Sequence, residues 1–169
     1  HTSPPQIPRA TAVVNHKQPE CPYTDKNLSG VGVAFKVCQA LWKRRTGEEY
    51  REDLDIVALG TVADVVPLVG ENRIIVREGL RKMTESPNVG IQALVQVAGL
   101  EGKVLSAGHI GFTLAPRLNA AGRVTHATRA VELLITTDLV EAMEIAEELQ
   151  ETNTERQQIE RAIFEEAYQ

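Results

Sequence analysis

Apolar positions recur along this chain at intervals of three and four far more often than at intervals of two. Val31, Ala34, Phe35, Cys38, Leu41 and Trp42 predict an amphipathic helix that starts near Ser29 and closes before Gly47. The same spacing predicts helices over residues 53–63, ended by Pro67, over 72–83 with Ile75, Val76, Gly79, Leu80 and Met83 on one face, and over 89–98, stopped by Gly99. Ser106 can cap a helix running to about Leu114, where Pro116 should break it, and Thr125 or His126 should start another through Val131 and Leu134. Only Thr11-Ala12-Val13-Val14-Asn15 reads differently: it is a short apolar run of strand type between a proline-bearing loop and a second loop over 16–27.

The final pattern runs from Leu139 to Tyr168, a length of about 45 Å at a rise of 1.5 Å per residue. Asp138 and Glu141 have the spacing of a capping box. Ala142, Met143, Ala146 and Leu149 form one stripe, Ile159, Ile163 and Ala167 another, and Gln150 to Gln158 between them are all polar. Apolar ends around a polar middle suit a helix that crosses solvent between two packed bodies; a coiled-coil arm is the alternative.

Composition excludes several classes. With 43% hydrophobic and 24% charged residues in 169, the chain sits near the averages for soluble globular proteins, and it is long enough for one ordinary domain plus an appendage. No apolar run approaches the roughly 18 residues of a membrane span. Two cysteines, Cys21 and Cys38, make no disulfide framework, so a reducing cytosol is expected. The chain opens on His1 and stops inside a helical pattern, as expected of a piece of something longer. The net charge of −5 is unevenly spread. From Asp138 onward ten acidic residues face only Arg156 and Arg161, which leaves the first 137 residues with sixteen Lys/Arg against thirteen Asp/Glu. The body is mildly basic, so overall acidity does not exclude a nucleic-acid partner.

Three segments could carry chemistry. In Gly60-Thr61-Val62-Ala63-Asp64-Val65-Val66-Pro67 one carboxylate stands between apolar pairs. If buried, Asp64 must meet a cation, a metal or a set of donors, the bland reading being a helix-end Asp bonded to nearby amides. Pro116-Arg117-Leu118-Asn119-Ala120-Ala121-Gly122-Arg123 sets two arginines around an amide and small residues, a combination suited to a phosphate pocket, although arginines are more often surface ion-pair partners. Leu28-Ser29-Gly30-Val31-Gly32 opens a helix with two glycines, which is weak as an anion-binding fingerprint and better explained by close packing. His16, His109 and His126 have no partners at ligand spacing and are expected in solvent.

Taken together, these segments resemble the RecJ family of single-strand-specific DNA exonucleases, within the DHH phosphoesterase superfamily. The resemblance runs through His1-Thr2-Ser3-Pro4-Pro5, the Leu28 to Lys36 segment, Leu59 to Leu68, Ala115 to Arg123, and Asn153, Arg156 and Glu160. It implies an α/β parent fold with a parallel sheet, of which this chain would be a mostly helical part with about one strand and a long C-terminal connector helix. Residues 1–137 would be the later part of a DHH catalytic domain, and 138–169 the connector toward a second, DHHA1-type domain. By the same resemblance Asp64 is a ligand in a Mn2+ or Mg2+ centre and His1 ends the Asp-His-His motif near the scissile phosphate. Arg117, Asn119 and Arg123 handle DNA phosphates, with Arg123 the better candidate for the 5′ end.

The implied function is 5′ to 3′ hydrolysis of single-stranded DNA in repair and recombination, in a bacterial cytoplasm. Single-strand-binding protein and a RecQ-type helicase are the implied partners. One carboxylate and one histidine do not make a two-metal phosphodiesterase, so the chain by itself should be inactive. Two alternatives keep the superfamily resemblance: a phosphodiesterase acting on short oligonucleotides or cyclic dinucleotides, and a non-catalytic scaffold binding nucleic acid or protein.

Overall fold

The computed structural model describes residues 8–124 and 127–168. Its elements are α1 (Gly30–Thr46), α2 (Leu54–Ala63), α3 (Gly70–Met83), α4 (Val89–Val97), the single turn α5 (Ala107–His109), a π-helical turn (Ile110–Leu114), α6 (Ala115–Val124), α7 (Thr128–Ile135) and α8 (Leu139–Ala167). The chain divides into two compact units, residues 1–79 and 80–169.

No strand occurs among the described residues, which corrects the expectation of one sheet strand and a parallel sheet. Thr11 to Asn15 has no regular structure, and Val14 is 63% exposed. An extended segment is stabilised by a neighbour that takes its N–H and C=O groups, and no other run of strand type exists in the chain to do so. The carbonyl of Val13 accepts instead from the side chain of Gln18 (2.9 Å).

In the first unit, Ser29 caps α1 by accepting from the Gly32 amide, and its hydroxyl meets that of Thr61 on α2 at 3.0 Å, both side chains fully buried. The glycine-bearing start of α1 is thus satisfied by its own cap. Leu28, Phe35, Val57 and Ile75 form the core beside it. At Gly79 of α3 a Cβ would stand 2.2 Å from the Leu54 carbonyl, so only glycine permits this approach to α2. The far half of the α1 stripe is not covered: Cys38 is exposed, Leu41 is 63% and Trp42 40% exposed. His16, expected in solvent, is buried, its Nε2 at 3.0 Å from the Lys26 carbonyl.

In the second unit α8 packs against α4, α6 and α7. Ser106 does cap a helix, but Pro116 does not break it. Proline cannot donate to the carbonyl four residues back and crowds it; here the chain widens into the π-turn, where the Ala115 amide reaches Ile110, and continues into α6 with Pro116 in its first turn. At the start of α8, Asp138 accepts from the Val140 amide, but Glu141 does not close the box, because its carboxylate takes the Thr136 hydroxyl. The buried face of α8 is Ala142, Ile145, Ala146, Leu149, Thr152 and Asn153, so burial reaches into the all-polar stretch. The second stripe is open, with Ile159 50% and Ile163 61% exposed.

Candidate phosphate-binding segment and the placement of Asp64

Asp64 is the C-cap of α2, where its amide closes the last turn onto Gly60. Its side chain is exposed and receives no hydrogen bond from the described residues, so the burial from which a cation was inferred is absent. The carboxylate that does sit inside the apolar stretch is Asp55, in the first turn of α2 and 3% exposed, with one oxygen accepting the Ile56 amide at 2.9 Å. The apolar run Leu54 to Leu59 around it carried the same signal that was assigned to Asp64. Among the described residues no three His, Cys, Asp or Glu side chains gather as a metal site. A Mn2+ or Mg2+ centre takes about six ligands, chiefly oxygens, so the described residues do not hold one by themselves. His1 lies outside the described residues.

The arginine segment lies in the second unit. Two of its small residues serve packing: Ala120 and Ala121 are fully buried. Asn119 is exposed and its amide makes no hydrogen bond with the described residues. Arg123 belongs to α6, and its side chain lies outside what the structure describes.

Arg117 is half-buried. Its Nε donates to Gln150 Oε1 on α8 at 2.7 Å, and its Nη1 donates to the Thr113 carbonyl of the π-turn. Burial lowers the pKa of this guanidinium, and no neighbouring carboxylate raises it. Arg51, Arg77, Arg129 and Arg156, by contrast, each pair with a glutamate. A guanidinium stays charged at any ordinary pH, so Arg117 is a partly desolvated cation whose bonds to the described residues go to neutral acceptors.

Two other features were not anticipated from the sequence. Phe112, on the π-turn, is 90% exposed immediately before this segment, on the side of the turn opposite the buried Ile110 and Leu114. On α8, Asn153 is buried and its Oδ1 accepts from Arg156 at 3.2 Å, while Arg156 reaches Glu160 at 2.8 Å, so three residues that carry the resemblance form one contact chain. A mostly apolar cavity of about 270 Å³ lies in the first unit, between residues 13–18 and α1, and is lined by neither Asp64 nor any residue of the arginine segment.

No protein-family model matches the chain. The single-stranded-DNA-specific exonuclease RecJ of Bacillus subtilis is 42% identical over 167 residues, which are 99% of this chain and 21% of that protein. The crystal structure of RecJ from Thermus thermophilus in complex with Mn2+ superposes with a TM-score of 0.87 at 36% identity, covering 98% of this chain and 25% of its own. The Mg2+ complex of that protein gives 0.80 at 38% identity, covering 86% and 23%. The chain spans roughly a fifth to a third of the RecJ relatives it matches. Over nearly its whole length, this chain is homologous to a segment of the RecJ single-stranded-DNA-specific exonucleases.

Proposed function

We propose that this chain is part of a metal-dependent exonuclease that hydrolyses the phosphodiester bonds of single-stranded DNA from the 5′ end, in DNA repair and recombination. The observation that carries the reading is its likeness in sequence and fold to RecJ over nearly every residue. The geometry adds a half-buried cation, Arg117, whose bonds to the described residues go to neutral acceptors. In this reading Arg117, Asn119 and Arg123 hold DNA phosphates. Asp64 supplies one oxygen ligand to Mn2+ or Mg2+, and His1 stands near the reacting phosphate. Residues 1–137 belong to the catalytic domain, and 138–169 connect it to a second domain. A cytoplasmic setting rests on the resemblance alone; no described helix is long and apolar enough to cross a membrane. Single-strand-binding protein and a RecQ-type helicase are partners on the strength of the resemblance alone.

The test uses the full-length protein containing this chain, Mn2+ and end-labelled single strands. Release of nucleotides from the 5′ end is expected, and Asp64→Asn should abolish turnover while leaving single-strand affinity within about twofold, because phosphate contacts dominate affinity. Degradation from the 3′ end would overturn the polarity assigned. A fully active Asp64→Asn variant would remove Asp64 from the metal centre.

A further inference from the structure

We infer that Gln150 is a positioning residue for phosphate binding: its carboxamide fixes the Arg117 guanidinium in place while leaving the positive charge unspent. The inference rests on Arg117 being a phosphate contact, as proposed above. Gln150 Oε1 takes the Nε proton of Arg117 at 2.7 Å, and the Thr113 carbonyl takes one from Nη1, so two points of a planar group are held and its orientation is set. Gln150 is held in turn, because its Nε2 donates to Thr154 Oγ1 at 3.0 Å and that hydroxyl donates to the Gln150 carbonyl at 2.9 Å. These bonds run from α8 to α6 and the π-turn through neutral acceptors only.

Neutrality matters because α8 is rich in glutamate, with Glu147, Glu148 and Glu151 flanking this position. The nearby Arg129 shows the other outcome, since Glu148 and Glu132 both grip it with short ion pairs. An arginine neutralised in that way has little left for an external anion. A carboxylate at position 150 would make a stronger bond to Arg117 than the amide does and would therefore compete with a phosphate. A purely structural tie between α6 and α8 would gain from a carboxylate's stronger bond to Arg117 and lose only the exposed Nε2 bond to Thr154.

The two roles separate in one experiment. Full-length protein is titrated with fluorescein-labelled oligothymidylate in EDTA, which prevents hydrolysis, over a series of salt concentrations, and thermal melts are recorded alongside. Gln150→Glu should melt at the same temperature or higher, yet bind roughly tenfold more weakly, with the slope of log affinity against log salt smaller by about 0.7, the loss of one phosphate contact on a single strand. Arg117→Ala should reduce the slope by the same amount. Gln150→Ala keeps the charge but loses the hold, and should weaken binding with little change of slope. If Arg117→Ala lowers the slope while Gln150→Glu leaves affinity and slope untouched, Gln150 is only a structural tie and the inference fails. If Arg117→Ala itself leaves the slope unchanged, the phosphate role of Arg117 fails first.

Discussion

Val65 follows the end of α2 with φ 54, and its side chain is 87% exposed. The left-handed conformation is where helices commonly place glycine, and a β-branched residue there costs on the order of 1–2 kcal/mol. With so little of the side chain packed, Val65→Gly forfeits almost no contact. It should raise stability by about 0.5–1 kcal/mol once glycine's greater unfolded entropy is set against the relief, seen as a higher melting temperature. A lower one would show that the valine methyl groups are packed after all. The two aspartates of this region mark how far residue type and neighbours alone can reach. That a carboxylate inside an apolar run must be buried and bonded holds for Asp55. It does not hold for Asp64, because that residue falls just past the helix, where the following left-handed residue turns the chain outward.

Helices were legible because their period is local: α1 to α4, α7 and α8 lie within a few residues of where apolar spacing put them, while α6 formed where a proline break was expected. What escaped depended on distant or irregular partners. The strand reading of Thr11 to Asn15 needed a neighbour that the chain does not provide, and Pro116 was read as a break because the π-turn that accommodates it has no period of its own. In α8, polarity was taken for exposure. Thr152 and Asn153 are buried, the first because its hydroxyl folds back onto the Glu148 carbonyl at 2.9 Å. Amide exchange should therefore be slow from Ala142 through Asn153 and at least roughly a hundredfold faster from Thr154 to Ala167, where no residue is buried. Slow exchange through Ile159 and Ile163 would mean that their exposed stripe is covered in solution.

For the molecule as a whole, residue type alone found the cationic segment, but nothing in the sequence links Arg117 to Gln150, 33 positions away. The metal chemistry was legible only through resemblance, because no three potential ligands gather among the described residues. The 169-residue chain alone, given Mn2+ and 5′-labelled single strands, is thus expected to release no nucleotides and to bind Mn2+ no better than its Asp64→Asn variant, measured by calorimetry. Metal-dependent release by clean protein would show a complete centre within the chain. The geometry of α8 has a mechanical side too. Its buried face ends near Asn153, and Ala167 lies about 21 Å further along the helix. A tilt of about 5° near Asn153 would displace Ala167 by about 2 Å. Gln150 sits one turn before that face ends, close to the fulcrum, so any pull on Arg117 is delivered where the smallest movement is magnified most.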